Sequence, residues 1–126
     1  MQIDHVDHLV LTVQDIQTTC EFYTRVLGMH VVTFAEGRKA LQFGKQKINL
    51  HQRGKEIEPK AQHPTPGSAD LCFLTSIPLE RVLAHLQSCH VSLLLGPVER
   101  TGATTSLLSL YFRDPDGNLL EVSNAL

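Results

Sequence analysis

The sequence predicts an α+β fold in which one unit, strand–helix–strand–strand–strand, occurs twice within a single domain. Two stretches carry that expectation. The first, Val6-Asp7-His8-Leu9-Val10-Leu11-Thr12-Val13, is apolar or β-branched at almost every position yet holds an imidazole at its third residue. The second, Ser68-Ala69-Asp70-Leu71-Cys72-Phe73-Leu74-Thr75, carries a carboxylate at the same place. If the two are copies, His8 and Asp70 face each other across a pseudo-twofold axis. The third observation is that the same order of elements follows each stretch.

In the first half, Asp15 is suited to cap a helix, because its carboxylate can accept from an early backbone N–H that has no partner inside the helix. Ile16, Cys20, Tyr23 and Leu27 then recur at helical spacing, with Phe22 and Val26 widening the stripe, and Gly28 follows where a left-handed residue is needed. This predicts a helix over 15–27. Met29 to Phe34 reads as a strand, Glu36-Gly37-Arg38 as a turn, Lys39 to Phe43 as an alternating strand, Gly44-Lys45 as a second turn and Gln46 to His51 as the last strand of the half. Residues 53–67 hold three of the chain's prolines and few apolar side chains, so they read as an exposed connector. The modules are thus expected over about 4–52 and 68–124.

In the second half, the 68–75 strand leads to Pro78, suited to a first helical position, with Glu80 in the first turn where the helix dipole favours an anion. Leu79, Val82, Leu83 and Leu86 form its apolar stripe, and the helix is expected to end near Cys89. Val91 to Leu95 reads as a strand, Gly96-Pro97 and Glu99 to Thr105 as a polar loop, and Ser106 to Arg113 as a long strand. Asp114-Pro115-Asp116-Gly117 has strong turn chemistry, and Asn118 to Ser123 closes the half.

Composition bounds the function. The chain has 126 residues, 42% of them hydrophobic and 19% charged, and a formal charge of −2, which argues against a nucleic-acid or anionic-membrane partner. No apolar run approaches a membrane span, and the first residues lack the pattern of a signal peptide, so a cytoplasmic protein is expected. Cys20, Cys72 and Cys89 stand at no metal-ligand spacing and read as small buried hydrophobes, whereas seven histidines offer metal ligands.

Because a strand alternates faces, His8 shares a side with Val6, Val10 and Thr12, while Leu9, Leu11 and Val13 are left to pack on the helix. Lys47, Asn49 and His51 share a face opposite Ile48 and Leu50, Asp70 opposes Leu71 and Phe73, and Glu121 and Ser123 share a face with Leu119. Two such sheets with their polar sides curved together would gather His8, His51, Asp70 and Glu121 in one cleft, where a divalent cation would offset the cost of burying them. The alternative for a lone strand histidine is a surface or hydrogen-bonded role, and for Glu121 a solvated edge.

Three motifs, Asp7-His8-Leu9-Val10-Leu11-Thr12-Val13, Phe22-Tyr23-Thr24-Arg25-Val26-Leu27-Gly28-Met29 and Phe112-Arg113-Asp114-Pro115-Asp116-Gly117-Asn118-Leu119-Leu120-Glu121, resemble the vicinal oxygen chelate superfamily. Within it, the chain is similar to the glyoxalase domain-containing 5 type and to bacterial virulence glyoxalase-like proteins. The resemblance implies paired βαβββ modules forming an open barrel-like cleft, a homodimer, and a divalent metal (Zn, Ni, Mn or Fe). It places His8 and Glu121 as ligands, Asp70 where the family often has histidine, and Asn49 at the fourth-strand position, with His51 beside it chemically the better ligand. It implies a glyoxalase I (lactoylglutathione lyase) type reaction on a small substrate with vicinal oxygens, Glu121 or Asp70 serving as the base. Arg100, Tyr111 and Arg113 are candidates to hold an anionic substrate, although Arg113 could equally pair with Asp114 or Asp116. Alternative functions are a ring-cleaving extradiol dioxygenase relative, a fosfomycin-resistance-like transferase and a metal-free binding protein.

Overall fold

In the computed structural model, which describes residues 1–126, the elements run β1 (His8–Val13), α1 (Ile16–Leu27), β2 (His30–Phe34), β3 (Arg38–Phe43), β4 (Gln46–Gln52), β5 (Asp70–Leu74), α2 (Leu79–Ser88), β6 (Leu95–Thr101), β7 (Ser106–Arg113) and β8 (Leu119–Ala125). The chain divides into two units, Met1–Pro66 and Gly67–Leu126. The first holds a sheet of order β1-β4-β3-β2 and the second a sheet of order β5-β8-β7-β6. In each, the first strand runs parallel to the fourth and the other pairings are antiparallel, and neither sheet closes on itself. The βαβββ grammar is therefore repeated down to strand order and direction.

Local chemistry explains most boundaries. Asp15 accepts from the Thr18 backbone N–H at 2.9 Å and from the Thr18 hydroxyl at 2.7 Å, and Gly28 ends α1 in the left-handed region at φ 67°. The buried face of α1, Thr19, Tyr23 and Val26, belongs to a core with Leu11, Val13, Leu41, Ile48 and Leu50. In the second unit Leu79 and Leu86 of α2 are buried, as are Leu110, Phe112, Leu120 and Val122.

The repeat extends to how the helices are capped. Pro78 precedes α2 rather than opening it and offers no capping side chain. Instead Asn124, at the end of β8, accepts from Leu79 N–H at 2.9 Å and donates to the carbonyls of Thr75 and Ile77. Gln52, at the end of β4, does the same for α1, accepting from Ile16 N–H at 3.1 Å and donating to the Gln14 carbonyl. Each fourth strand thus supplies the amide that satisfies its helix's first orphan donor.

Two expectations are corrected. Residues 91–94 are not a strand, and residues 96–101 of the stretch expected as a loop belong to β6, in which Val98, Glu99, Arg100 and Thr101 pair with Ser109, Leu108, Leu107 and Ser106. As the outer strand of its sheet, β6 tolerates charged side chains and Pro97, which a central strand would not. Arg38 is not a turn residue but the start of β3, paired with Phe34, because the turn is taken up by Ala35, Glu36 and Gly37 at φ 36°, 60° and 89°.

The Asp114–Asn118 turn ties β7, β8 and β5 together. Asp114 accepts from the backbone N–H of Asp116 and Asn118 at 2.9 and 3.0 Å and from the Asn118 amide at 2.7 Å. Asn118, only 1% exposed, accepts in turn from Ala69 N–H at 2.9 Å, one residue before β5.

Candidate functional site

Strand pairing fixes which polar side chains stand together. In the second unit Cys72 pairs with Glu121, Tyr111 with Glu121, and Ser123 with both Leu74 and Ser109. Leu120 and Val122 alternate to the buried side, leaving Glu121 and Ser123 on the other face. There Glu121 Oε1 accepts from Ser109 Oγ at 2.6 Å, the Ser109 and Ser123 hydroxyls lie 2.7 Å apart, and Cys72 Sγ is 3.6 Å from Ser123 Oγ. A hydroxyl has one proton, so with Ser109 donating to the carboxylate, Ser123 donates to Ser109 or, at 3.3 Å, to Glu121. One carboxylate oxygen is thereby fixed by neighbouring hydroxyls.

Arg100, on β6, donates from Nε to the Tyr111 hydroxyl at 3.2 Å, and its guanidinium carbon lies 5.5 Å from that ring's centroid. Cys72, Arg100, Tyr111 and Glu121 open on a cavity of about 440 Å³ whose apolar wall includes Leu74 and Leu107. Burial pushes the Tyr111 phenol above its usual range against the opposing pull of its bond to Arg100, so it is a protonated donor at neutral pH. Burial likewise pushes the Cys72 thiol up, with Glu121 adding to the effect, so it is a thiol rather than a thiolate.

In the first unit the pairings are His8 with Lys47, Val10 with Asn49 and Thr12 with His51. Ala40 pairs with Asn49 and Phe34 with Arg38, which puts Phe34, Arg38, Lys47, Asn49 and His51 on one face. Asn49 and His51 are 7% and 5% exposed, and three buried atoms there have no hydrogen-bond partner: Arg38 Nε, Asn49 Oδ1 and His51 Nε2. Each such group costs roughly 1–3 kcal/mol when left unpaired. Burial, then the Arg38 charge, hold His51 below its ordinary 6.5 against a smaller opposing pull from Glu56, so the imidazole is neutral at pH 7. His8, with its side chain 45% exposed, pairs through Nδ1 with Asp7 at 2.8 Å, a bond that lowers the Asp7 carboxyl below its usual range.

The sequence-derived site residues are distributed unevenly. Glu121, Tyr111 and Arg100 share the cavity. Asp70 is exposed at the start of β5, two residues before Cys72, and Arg113 is exposed and donates to the Gly117 carbonyl at 3.1 Å. His51 pairs four residues beyond His8 along β1, roughly 13 Å at strand rise, whereas metal–nitrogen bonds are about 2 Å. Asn49 stands only two residues beyond His8, the offset that Glu121 has from Asp70. Nowhere in the chain are three or more His, Cys, Asp or Glu side chains grouped so as to hold a metal ion. Sequence reasoning missed Cys72 and Arg38 as site residues. The two-residue step from Asp70 signals Cys72, but nothing local signals Arg38.

This two-unit architecture is that of the glyoxalase fold, and residues 5–122 match the Glyoxalase/Bleomycin resistance protein/Dioxygenase superfamily. The chain belongs to that superfamily. It is 61% identical over 123 residues to virulence protein STM3117 of Salmonella typhimurium, covering 98% of this chain and 85% of that one. The crystal structure of STM3117 superposes with a TM-score of 0.99 at 60% identity, covering 100% of both chains. A glyoxalase domain-containing protein, RDO1 of Mycosarcoma maydis, is 54% identical over 124 residues, covering 98% of this chain and 70% of the relative. Two distant structures share the fold: a lactoylglutathione lyase from Agrobacterium tumefaciens (TM-score 0.74, 20% identity, 98% and 96% covered) and TnmS3, an antibiotic binding protein from Streptomyces sp. CB03234 (TM-score 0.76, 21% identity, 100% and 99% covered).

Proposed function

We propose that this chain is an enzyme of the glyoxalase type that moves a proton at a carbon beside two neighbouring oxygens of a small substrate, with Glu121 as the base. The observation that supports it is the Glu121 carboxylate, fixed through one oxygen by Ser109 and opening on the same cavity as Arg100 and Tyr111. Proton removal next to a carbonyl builds negative charge on its oxygen. The Arg100 guanidinium and the protonated Tyr111 hydroxyl are the donors that would stabilise that charge, and Arg100 would also hold an anionic group of the substrate. Return of the proton from Glu121 to the neighbouring carbon completes an isomerisation with atoms and electrons balanced. Asp70, at the exposed end of β5, has no part in this step, and Arg113 serves the turn.

The remaining family expectations belong to the same proposal. The whole chain acts as one domain, modules 4–52 and 68–124 joined by 53–67, and works as a homodimer in the cytoplasm. No helix is long and apolar enough to cross a membrane. Dependence on a divalent metal (Zn, Ni, Mn or Fe) with donors such as His8 is tested by metal content of tag-free protein and its His8→Ala variant.

The test of the base is turnover of methylglyoxal with glutathione, followed as thioester formation, together with deuterium exchange into the product from heavy water. Glu121→Gln is expected to lower kcat about 10²–10⁴-fold with substrate binding retained. Undiminished turnover in that variant overturns the assignment. A second reading, a small-molecule binding protein without turnover, draws on the apolar walls of the cavity, Leu74 and Leu107. TnmS3 shows that this fold serves an antibiotic binding protein. The second reading predicts saturable binding by the wild type with no deuterium incorporation.

A further inference from the structure

We infer that the C-terminal end of α2 carries a separate cation site, in which His85 and Cys89 together chelate a borderline-soft divalent ion of the zinc or cadmium class. Neither residue lines the Glu121 cavity, and the inference does not depend on the glyoxalase reading.

Three observations carry it. First, the donor atoms stand at the separation of a chelate. His85 Nε2 and Cys89 Sγ are 3.6 Å apart. Zinc–nitrogen bonds of about 2.0 Å and zinc–sulfur bonds of about 2.3 Å, opened to a tetrahedral angle, span roughly 3.5 Å. An ion can enter between the two atoms with little movement of either side chain.

Second, the backbone holds the two residues one turn apart although the helix itself ends at Ser88. The Cys89 N–H donates to the His85 carbonyl at 3.0 Å, which keeps the two side chains on one face. His90, left-handed at φ 59°, then turns the chain, and the N–H groups of His90 and Val91 donate to the carbonyls of Gln87 and Leu86 at 3.1 and 3.0 Å. The Ser88 hydroxyl adds a 2.7 Å bond to the His85 carbonyl. The ligands are therefore brought together by folding, not by the ion.

Third, the electrostatics and the exposure suit a cation. The pair sits where the helix dipole is negative, and the last turn holds no lysine or arginine to compete. His85 is exposed and Cys89, which the sequence suggested as a buried hydrophobe, is only half-buried, so an ion reaches both from solvent.

The donor types name the class of ion. A thiolate beside an imidazole suits zinc or cadmium, whereas magnesium and calcium take oxygen ligands. On binding, the Cys89 S–H bond breaks, its proton leaves to solvent, and a sulfur lone pair forms the metal bond with no change of oxidation state. His85 ligates through Nε2 with its own proton on Nδ1. No third His, Cys, Asp or Glu completes the group, so the other coordination positions fall to water, and binding is expected to be weaker than at a closed four-ligand site.

The experiment is alkylation of the full chain, first stripped with EDTA, by iodoacetamide with and without zinc chloride, read at each cysteine by peptide mass spectrometry. Zinc is expected to slow Cys89 about tenfold or more, because a coordinated thiolate is shielded, and to leave Cys20 within about twofold. Magnesium chloride should protect neither. His85→Gln should abolish the protection without changing the thermal melt, since that side chain is exposed. Cobalt(II) in place of zinc should give thiolate-to-cobalt charge-transfer absorption that is lost in Cys89→Ser and in His85→Gln. Both readouts should survive in Glu121→Gln and His8→Ala, which separates failure here from failure of the proposed function. Absence of zinc protection at Cys89, protection that persists in His85→Gln, or a cobalt band lost in Glu121→Gln overturns the proposal.

Discussion

The two units are built on one plan and differ in what they do with the same places on it. In the second, the third and fourth strands bring Ser109, Ser123, Tyr111 and Glu121 onto one face, and the Ser109 and Ser123 hydroxyls bond to each other beside the Glu121 carboxylate. In the first, the matching places hold Arg38, His51, Ala40 and Asn49, and three buried polar atoms among them stay unpaired. The backbone is equivalent and the helix-capping amides Gln52 and Asn124 are equivalent. The side chains decide that one face surrounds a carboxylate with hydroxyls and the other buries polar atoms that have no hydrogen bond. One frame occurs twice, and the side chains at a handful of strand positions give each a different chemistry.

The comparison can be broken most sharply at its charged residue. Glu121→Gln keeps the shape of the Ser109–Ser123 set but removes the proposed base, so the loss of turnover should far exceed any loss of stability. Urea unfolding beside the kinetic assay separates the two. The β7–β8 turn is the next place to press, because the matching Gly44-Lys45 turn between β3 and β4 is formed by exposed residues. Asn118→Ala removes the buried side-chain bonds to Asp114 and Ala69 and should cost roughly 3 kcal/mol in urea unfolding. A smaller effect is expected at the helix caps. Asn124→Ala removes one accepted and two donated bonds and should cost about 1–2 kcal/mol, with Gln52→Ala at about 1 kcal/mol. Equal costs would show the two caps to be energetically as well as geometrically equivalent.

The smallest effect concerns Cys72, which has a valine, Val10, at the matching place in β1. Its thiol is raised above the ordinary 9.0 by burial, so the thiolate is scarce at neutral pH and grows as pH climbs through and beyond that value. Alkylation by iodoacetamide, read by peptide mass spectrometry, should therefore be slower at Cys72 than for a free thiol at pH 7. The gap should close as pH rises past 9.0.

Much of the fold was legible because its signals are local. The α1 stripe, the Asp15 cap, the Gly28 stop and the Asp114–Gly117 turn each lie within a few residues of what they control. The face that Glu121 takes was legible for the same reason, since alternation with Leu120 and Val122 is a property of one strand. β6 was not, because Glu99, Arg100 and Thr101 look like a loop until β7 offers its ladder. Arg38 was not, because its place beside His51 depends on the register of β3 against β4.

The sequence by itself determined the order of elements, their caps and turns, and which face of each strand is apolar, because periodicity and capping act over one or two turns of chain. Only the tertiary structure decided which residues meet across strands. It set His51 too far along from His8 to share a ligand with it, put Asn49 in the place that matches Glu121, and left one buried atom each of Arg38, Asn49 and His51 without a hydrogen bond. The physical reason is that strand pairing joins residues distant in sequence, and a shift of two positions moves a side chain by about 7 Å, farther than a hydrogen bond or a metal–ligand bond can reach.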